Sequence, residues 1–139
     1  MSDETEVIGL LHRYADALDR RTWEALETVF SHDVSADYAG SEIVSGRGNL
    51  VGMIRGYLDA CGPTQHLMGN ESAAIDGETG TVTAKMRVHH IGEGRPDLRY
   101  EVFGWYHATV RRGPEGWRIM SWRQEVTHEL GTYQVFGRG

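Results

Sequence analysis

A histidine on a mixed strand face is the first residue whose type and position could do chemistry. His66 lies in the segment Thr64-Gln65-His66-Leu67-Met68-Gly69-Asn70, which follows the turn signal Gly62-Pro63 and is typical of a β-strand. An imidazole among apolar neighbours must find a hydrogen-bond partner or line a pocket. Because side chains alternate along a strand, we expect one face to carry His66, Met68, Asn70, Ser72 and Ala74.

A carboxylate and a second histidine also occupy unusual positions. Asp19 is expected at the C-terminal end of the first helix, where the helix dipole disfavours an anion. It could pair with Arg20 or Arg21, or cap the next helix. In the pair His89-His90, alternation places His90 on the apolar face of its strand and His89 on the polar face. Asp19 and His90 therefore join His66 as candidates, although each also has an ordinary structural explanation.

The apolar pattern predicts helices in the first part of the chain and long strands in the second. Helices are expected over about residues 4–19, from Thr22 to about Phe30, and from a cap at Asn49 to Gly62-Pro63. Two short strands are expected over residues 34–39 and 43–45. Four longer strands, separated by turn-rich segments, are predicted over residues 64–75, 81–92, 99–112 and 116–127.

Helices followed by a four-strand antiparallel meander predict an α+β fold. Long strands twist and bend, so we expect the sheet to curl around the helices and enclose a pocket. The inward face of the strand from Thr81 is expected to carry Val82, Ala84, Met86, Val88 and His90. On the next strand the direction stays open, because Phe103 and Trp105 oppose an alternating set that includes Tyr100 and Tyr106.

Length and composition restrict the class of protein. The 139 residues suit one domain over 1–139, with the Gly-rich segment 131–139 expected to be a loose tail. The net charge of −6 argues against nucleic acid or an anionic membrane as the main partner. Without a signal-peptide pattern or a membrane-spanning apolar run, a cytoplasmic location is expected. The single Cys61 excludes an internal disulfide, and the histidine spacing supports no metal site.

Several motifs, taken in order, resemble a known family. They are Tyr14-x4-Asp19-x3-Trp23, Asp37-Tyr38, Thr64 to Asn70, Arg87-Val88-His89-His90 and Gly116-Trp117-Arg118-Ile119. Over residues 5–127 the chain resembles the SnoaL-like branch of the nuclear transport factor 2-like (NTF2-like) superfamily, and especially the scytalone dehydratase-like proteins. The resemblance implies an NTF2-like cone, with N-terminal helices packed on a strongly curved antiparallel sheet around a pocket. It also implies a homo-oligomer, either a dimer or a trimer.

The resemblance assigns roles to individual residues. Asp19 and His66 match the acid–base dyad of the dehydratases and of a lindane dehydrochlorinase in this group. His90 matches a second pocket histidine of scytalone dehydratase. Tyr38 matches a tyrosine that polarises the substrate carbonyl through water, and Tyr14 matches a catalytic tyrosine of bile-acid dehydratases.

The chain also departs from scytalone dehydratase. That enzyme has a tyrosine where this chain has Leu18 and an asparagine where it has Tyr106, so scytalone itself is not the expected substrate. Methionines would give the pocket a pliable apolar wall. The residues expected to contact the substrate are Trp23, Met53, Met68, Asn70, Met86, Val88 and Tyr106.

Three functions are compatible with these residues. The first is a cofactor-free lyase of the dehydratase type, in which the Asp19–His66 pair abstracts an α-proton from a small, largely apolar carbonyl substrate. Tyr38 or Tyr14 would donate a hydrogen bond to the substrate oxygen. The second is a cyclase or isomerase of polyketide- or steroid-like intermediates with the same pair. The third is a non-catalytic module that binds a small ligand, which an Asp19–His66 separation above about 6 Å would favour.

Overall fold

A computed structural model describes residues 2–137 of the chain. Within them lie two α-helices, α1 (Asp3–Arg20) and α2 (Arg47–Leu58), and two short 3₁₀ helices, Trp23–Thr28 and Tyr133–Phe136. The six strands are β1 (Phe30–Tyr38), β2 (Glu42–Ser45), β3 (Cys61–Asp76), β4 (Thr79–Gly92), β5 (Arg95–Gly113) and β6 (Gly116–Gly131). None of the helices described is both long and apolar enough to cross a membrane.

The sequence of α1 determines its ends and its buried face. The Ser2 hydroxyl caps the helix by accepting a hydrogen bond from the Thr5 backbone N–H at 3.2 Å. At the other end, Arg21 adopts a left-handed conformation with φ of 58° and ends the helix, which leaves Asp19 in the last turn. The buried stripe between these ends consists of Val7, Leu10, Leu11, Tyr14, Ala15, Ala17 and Leu18.

A curved, unclosed sheet of six strands packs against α1 in the order β2-β1-β6-β5-β4-β3. Strands β3 to β6 form the predicted antiparallel meander. Strand β1 extends it by pairing with β6 in parallel and with β2 in antiparallel orientation. The predicted α+β architecture is confirmed.

A β-bulge interrupts β3 after Gly69. Gly69 pairs with Lys85 and Ser72 pairs with Thr83, so β3 advances by three residues while β4 advances by two. Asn70 lies in the bulge with φ of 50° and is exposed. One extra residue reverses which face the following side chains occupy.

The bulge overturns part of the predicted strand face. His66 and Met68, before the bulge, face inward as expected. After it, Ala73 and Ile75 pack on the core instead of Ser72 and Ala74. The prediction that Asn70 continues the face of His66 is therefore wrong.

Alternation was a better guide in β4 and β5. All the residues predicted to face inward on β4 are buried, and His90 is only 6% exposed to solvent. In β5 the inward face carries Tyr100 and Tyr106, which are buried, whereas Phe103 and Trp105 on the other face are partly exposed. The sequence leaves the inward face of β5 open. Pairing with β4 on one side and β6 on the other fixes this face.

The second predicted helix is shorter than expected. It is a 3₁₀ helix that ends at Thr28, and Phe30 begins β1. The Val29 carbonyl accepts a hydrogen bond from the Ile119 backbone N–H at 2.8 Å, and Phe30 pairs with Ile119 in β6. Pairing with a strand about ninety residues away in sequence overrides the local helical spacing. The third helix begins at Arg47 rather than after Asn49.

The C-terminal segment differs from the expected loose tail over residues 131–137. Thr132 caps the 3₁₀ helix Tyr133–Phe136 by accepting a hydrogen bond from the Gln134 backbone N–H at 3.2 Å. Val135 and Phe136 are buried in the core. The Phe136 ring packs edge-on against Tyr57 at 5.2 Å between ring centroids. Residues 138–139 lie outside the described part of the chain.

Gly104→Ala should destabilise the fold severely. A Cβ atom at residue 104 would lie 1.8 Å from the carbonyl oxygen of Glu125, where a backbone bulge in β6 passes close to β5. We expect a loss of unfolding free energy on the order of 3 kcal/mol, measured by urea denaturation. Gly69→Ala is the matched control, because a Cβ there meets nothing within 4 Å. Equal midpoints for the two variants would contradict this reading of the bulge.

Candidate active site

Asp19 at the end of α1 and His66 in β3 are in direct contact. Asp19 Oδ1 lies 2.7 Å from His66 Nδ1, and Asp19 Oδ2 accepts a hydrogen bond from the His66 backbone N–H at 2.7 Å. A carboxylate partner favours the tautomer with the proton on Nδ1. The lone pair of the neutral ring is then on Nε2, on the side of the ring away from Asp19.

Thr64 and Arg21 hold the Asp19 carboxylate in place. Thr64 Oγ1 donates to Asp19 Oδ1 at 2.9 Å. Arg21 Nη1 donates to Thr64 Oγ1 at 2.9 Å and to the Leu18 carbonyl at 2.6 Å, and Nη2 donates to the Gly62 carbonyl at 2.7 Å. Arg21 therefore reaches Asp19 through Thr64. The direct pairing of Asp19 with an arginine, considered from the sequence, is not among the ion pairs of residues 2–137.

The surroundings of Asp19 keep it ionised. Burial raises the pKa of Asp19, but hydrogen bonds from His66 and Thr64 and the positive charge of a protonated His66 lower it by more. The resulting pKa lies below the ordinary value. The His66 side chain is only 5% exposed, so an imidazolium formed there would depend on this carboxylate for stabilisation.

His90 lies beside the dyad as a neutral imidazole. Its Nδ1–H donates to the Tyr100 carbonyl at 2.9 Å, which leaves the lone pair on Nε2. Burial lowers the pKa of His90 to about 4. The His66 and His90 rings are 6.3 Å apart between centroids. Within residues 2–137, no group of three or more His, Cys, Asp or Glu side chains is arranged to hold a metal ion.

Three tyrosines form a hydroxyl cluster next to His66. The hydroxyls of Tyr14 and Tyr38 are 2.7 Å apart, and Trp122 Nε1 donates to the Tyr38 hydroxyl at 3.0 Å. The Tyr14 ring contacts Tyr106 and His66 edge-on, at 5.6 and 6.0 Å between centroids. Burial is the main cause that raises the pKa of all three phenols, to about 12 for Tyr106. All three are therefore neutral hydrogen-bond donors at pH 7.

These groups open into one cavity of about 120 Å³. All six tyrosines of the chain lie in its wall. An apolar cavity of about 150 Å³ binds benzene, so this somewhat smaller volume encloses a group no larger than about one small ring. The lining residues are Tyr14, Leu18, Tyr38, Ser41, Glu42, Met53, Ile54, Tyr57, Leu58, His66, Val88, His90, Tyr100, Val102, Tyr106, Gln124, Tyr133 and Phe136.

The structure brings the five predicted catalytic residues together but divides the predicted substrate contacts. Tyr14, Tyr38, His66 and His90 line the cavity, and Asp19 lies directly behind His66. Of the predicted contact residues, the ones in the cavity wall are Met53, Val88 and Tyr106. Those outside the wall are Trp23, Met68, Asn70 and Met86.

Each residue outside the wall has a structural reason to be there. Met68 and Met86 form the next inward cross-strand pair beside the pair His66 and Val88, and both pack in the core. Trp23 packs at the edge of the core, with the Arg55 guanidinium 5.7 Å from its ring centroid. Asn70 is turned out by the bulge.

The sequence did not identify the residues that close the cavity. Tyr133 and Phe136 come from the segment expected to be loose, and Glu42 lies between the two short strands expected over residues 34–39 and 43–45. Tyr57 and Tyr100 were placed correctly on a helix and a strand, but nothing in their spacing indicated the cavity. The one available signal was the burial expected of aromatic side chains in a Gly-rich segment.

The SnoaL-like domain profile matches residues 1–123. The chain therefore belongs to the SnoaL-like domain family. A sequence relative is the uncharacterized protein Rv2910c of Mycobacterium tuberculosis, which is 29% identical over 123 residues. The matched region covers 86% of this chain and 82% of the relative.

Solved structures show the same fold at low sequence identity. Two come from Novosphingobium aromaticivorans: a candidate aromatic ring hydroxylase (TM-score 0.87, 21% identity, 96% of both chains) and a candidate scytalone dehydratase (0.81, 20%, 93% of this chain and 87% of the other). A hexachlorocyclohexane dehydrochlorinase has a TM-score of 0.78 at 13% identity, over 88% and 84% of the chains. An NTF2-like superfamily protein from Salmonella enterica has a TM-score of 0.80 at 12% identity, over 94% of both chains. These similarities establish the NTF2-like fold.

Replacing Thr64 by valine should raise the pKa of Asp19. The substitution keeps the shape of the side chain but removes the hydroxyl that donates to Asp19 Oδ1 and accepts from Arg21. The pKa of the carboxyl can be followed by NMR titration of the Asp19 side-chain carbon. Thr64→Ser retains the hydroxyl and should leave the pKa close to that of the wild type. An unchanged pKa in Thr64→Val would show that Thr64 does not stabilise the carboxylate.

His90 should make the protein less stable as the pH falls from 6.5 to 4. In this window an unfolded His90, with an ordinary pKa, binds a proton that the folded residue with its pKa of about 4 does not. The free energy of unfolding therefore decreases as the pH falls. The full contribution is about 3 kcal/mol. His90→Asn, whose amide can donate to the same carbonyl, should lose this part of the pH dependence. Denaturant unfolding at several pH values gives the free energy of unfolding as a function of pH for the wild type and for His90→Asn. Equal slopes for the two proteins between pH 6.5 and 4 would contradict the assignment.

Proposed function

We propose that this protein is a lyase of the dehydratase type, which removes water from a small carbonyl compound. The observation that carries the proposal is the 2.7 Å contact between Asp19 Oδ1 and His66 Nδ1 at the wall of a cavity. The contact is far shorter than the separation expected of a non-catalytic binding module. It supplies a positioned base whose partner carboxylate is already ionised.

In the proposed reaction, His66 is the general base. Its Nε2 takes the α-proton of the bound carbonyl compound, and the electrons of the C–H bond form an enolate. Asp19 stabilises the imidazolium that results and keeps the ring oriented through Nδ1. The enolate then expels the β-hydroxyl group, which takes the proton back from Nε2 and leaves as water. One histidine serves both steps if the proton and the hydroxyl lie on the same face of the substrate.

The tyrosine cluster supplies the hydrogen bonds to the enolate oxygen. Tyr14 and Tyr38 line the cavity, and their raised pKa values keep both hydroxyl protons in place at neutral pH. A neutral donor in a buried site stabilises developing charge without transferring its proton. Trp122 donates to the Tyr38 hydroxyl, which occupies one lone pair of that oxygen. One proton of the Tyr14–Tyr38 pair lies between the two hydroxyls, which leaves the other proton to donate to the enolate oxygen.

The relatives of known fold support this reaction class by analogy. They include a candidate scytalone dehydratase and a hexachlorocyclohexane dehydrochlorinase, and each name describes an elimination. Because one fold can host many activities, the residues of the site carry more weight than the names.

A double-bond isomerase or a cyclase is the second candidate. The observation that favours it is the neutral His90, whose ring lies 6.3 Å from that of His66 between centroids. Two imidazoles on one cavity allow a proton to be taken from one carbon and delivered to another. The two candidates differ in product mass, since only dehydration releases water.

Asp19→Asn should lower the turnover of a β-hydroxy ketone substrate by about 10²- to 10⁴-fold without unfolding the protein. The amide keeps the size of the side chain but cannot stabilise the imidazolium. Substrates are sought by incubating single-ring β-hydroxy ketones with the protein and following loss of water by mass spectrometry.

Asp16→Asn is the matched control for this experiment. Asp16 lies on the same helix but is exposed and outside the cavity, so its substitution should leave turnover unchanged. Undiminished turnover in Asp19→Asn, together with undiminished turnover in Asp19→Ala, would refute the role assigned to the dyad.

A further inference from the structure

The wall of the cavity carries negative but no positive side chains. Among the lining residues described, Glu42 is the only acidic side chain, and neither lysine nor arginine is present. A second carboxylate, Asp19, lies directly behind His66. Arg21 does not line the cavity, and its guanidinium donates hydrogen bonds to Thr64 and to two backbone carbonyls.

Glu42 is held in the wall by contacts from two elements. In the β1–β2 hairpin it pairs directly with Tyr38, whose hydroxyl belongs to the cluster beside the dyad. From α2, the Tyr57 hydroxyl donates to Glu42 Oε1 at 3.1 Å. Tyr57 in turn packs against Phe136. The carboxylate is therefore held in the wall of the same cavity as the proposed carbonyl donors.

The histidine beside the dyad does not compensate this charge. His90 is neutral at pH 7, since burial lowers its pKa to about 4. A third carboxylate, Glu129, accepts hydrogen bonds from the hydroxyls of Tyr100 and Tyr133, both of which line the cavity. The polar groups in the wall are thus the phenol hydroxyls, the Ser41 hydroxyl, the Gln124 amide, two imidazoles and the Glu42 carboxylate.

We propose that Glu42 selects the substrate by charge, so that the site accepts uncharged carbonyl compounds and rejects those bearing a carboxylate or phosphate group. The proposal rests on the proposed function for the carbonyl and adds the class of compound that can enter. Phenol donors suffice for a carbonyl oxygen, but an anion brought next to Glu42 would have no cation to pair with in the wall. Discrimination by placing a like charge against the wrong ligand is a common basis of specificity.

The test compares two probes of nearly equal size, 4-acetylbenzamide and 4-acetylbenzoate. They share the aryl ketone and differ in charge at the opposite end of the ring. Dissociation constants are measured at pH 7 and low ionic strength by isothermal titration calorimetry. We expect the wild-type protein to bind the amide at least about tenfold more tightly than the carboxylate.

Glu42→Gln should reduce this ratio by about threefold or more, mainly by strengthening the binding of 4-acetylbenzoate. The substitution keeps an oxygen that can accept the hydrogen bond of Tyr57. The control is Glu27→Gln, an exposed position outside the cavity, which should preserve the wild-type ratio. The wild-type comparison stands by itself if Glu42→Gln does not fold.

Equal affinities for the two probes, tighter binding of the carboxylate, or no measurable binding of either would overturn the proposal. A ratio in folded Glu42→Gln equal to that of the wild type would overturn the role of Glu42. Because binding is measured without turnover, this experiment can fail or succeed independently of the dehydratase assay. Loss of catalysis in a protein that still discriminates the probes would instead refute the proposed function.

Discussion

The Asp19 carboxylate is the constraint on which the site depends. It accepts hydrogen bonds from both the backbone and the ring of His66, and so joins the end of α1 to the beginning of β3. Its place in the last turn of a helix is electrostatically unfavourable, and the donors from β3 offset that cost. The contact that stabilises the helix–sheet interface is thus the contact that orients the histidine. Thr64, which accepts a hydrogen bond from Arg21, donates a further hydrogen bond to the same carboxylate.

Burial of phenol groups provides the second half of the site. A buried hydroxyl must be hydrogen-bonded, and Tyr14, Tyr38 and Trp122 satisfy one another. The same burial raises the pKa of the phenols, so they remain donors rather than becoming bases. Packing requirements and chemical role therefore coincide: the groups that must be satisfied in the core are the ones that can donate to a ligand. In our proposal, the carboxylate in the wall then selects the charge of the ligand.

Much of this architecture could be predicted because it depends on local periodicity. The stripe of α1, the faces of β4 and the meander of long strands all follow from spacing in the chain. The bulge at Asn70 could not be predicted, since one added residue leaves no periodic signature before the partner strand is known. The sequence also predicts helix up to Phe30, where β1 begins, because the parallel partner of Phe30 lies in β6, near the far end of the sequence.

The sequence by itself determined the α+β class, the inward direction of His66 and His90, and, through resemblance to a family, the pairing of Asp19 with His66. The first two rest on side-chain type and short-range spacing, which are present in the chain before it folds. Only the tertiary structure decided that Arg21 acts through Thr64, that Met68, Met86 and Trp23 belong to the core, and that Glu42, Tyr133 and Phe136 close the cavity. A cavity wall is assembled from segments distant in the chain. Which residues line it therefore depends on strand register, sheet curvature and the path of the C-terminal segment rather than on any local pattern.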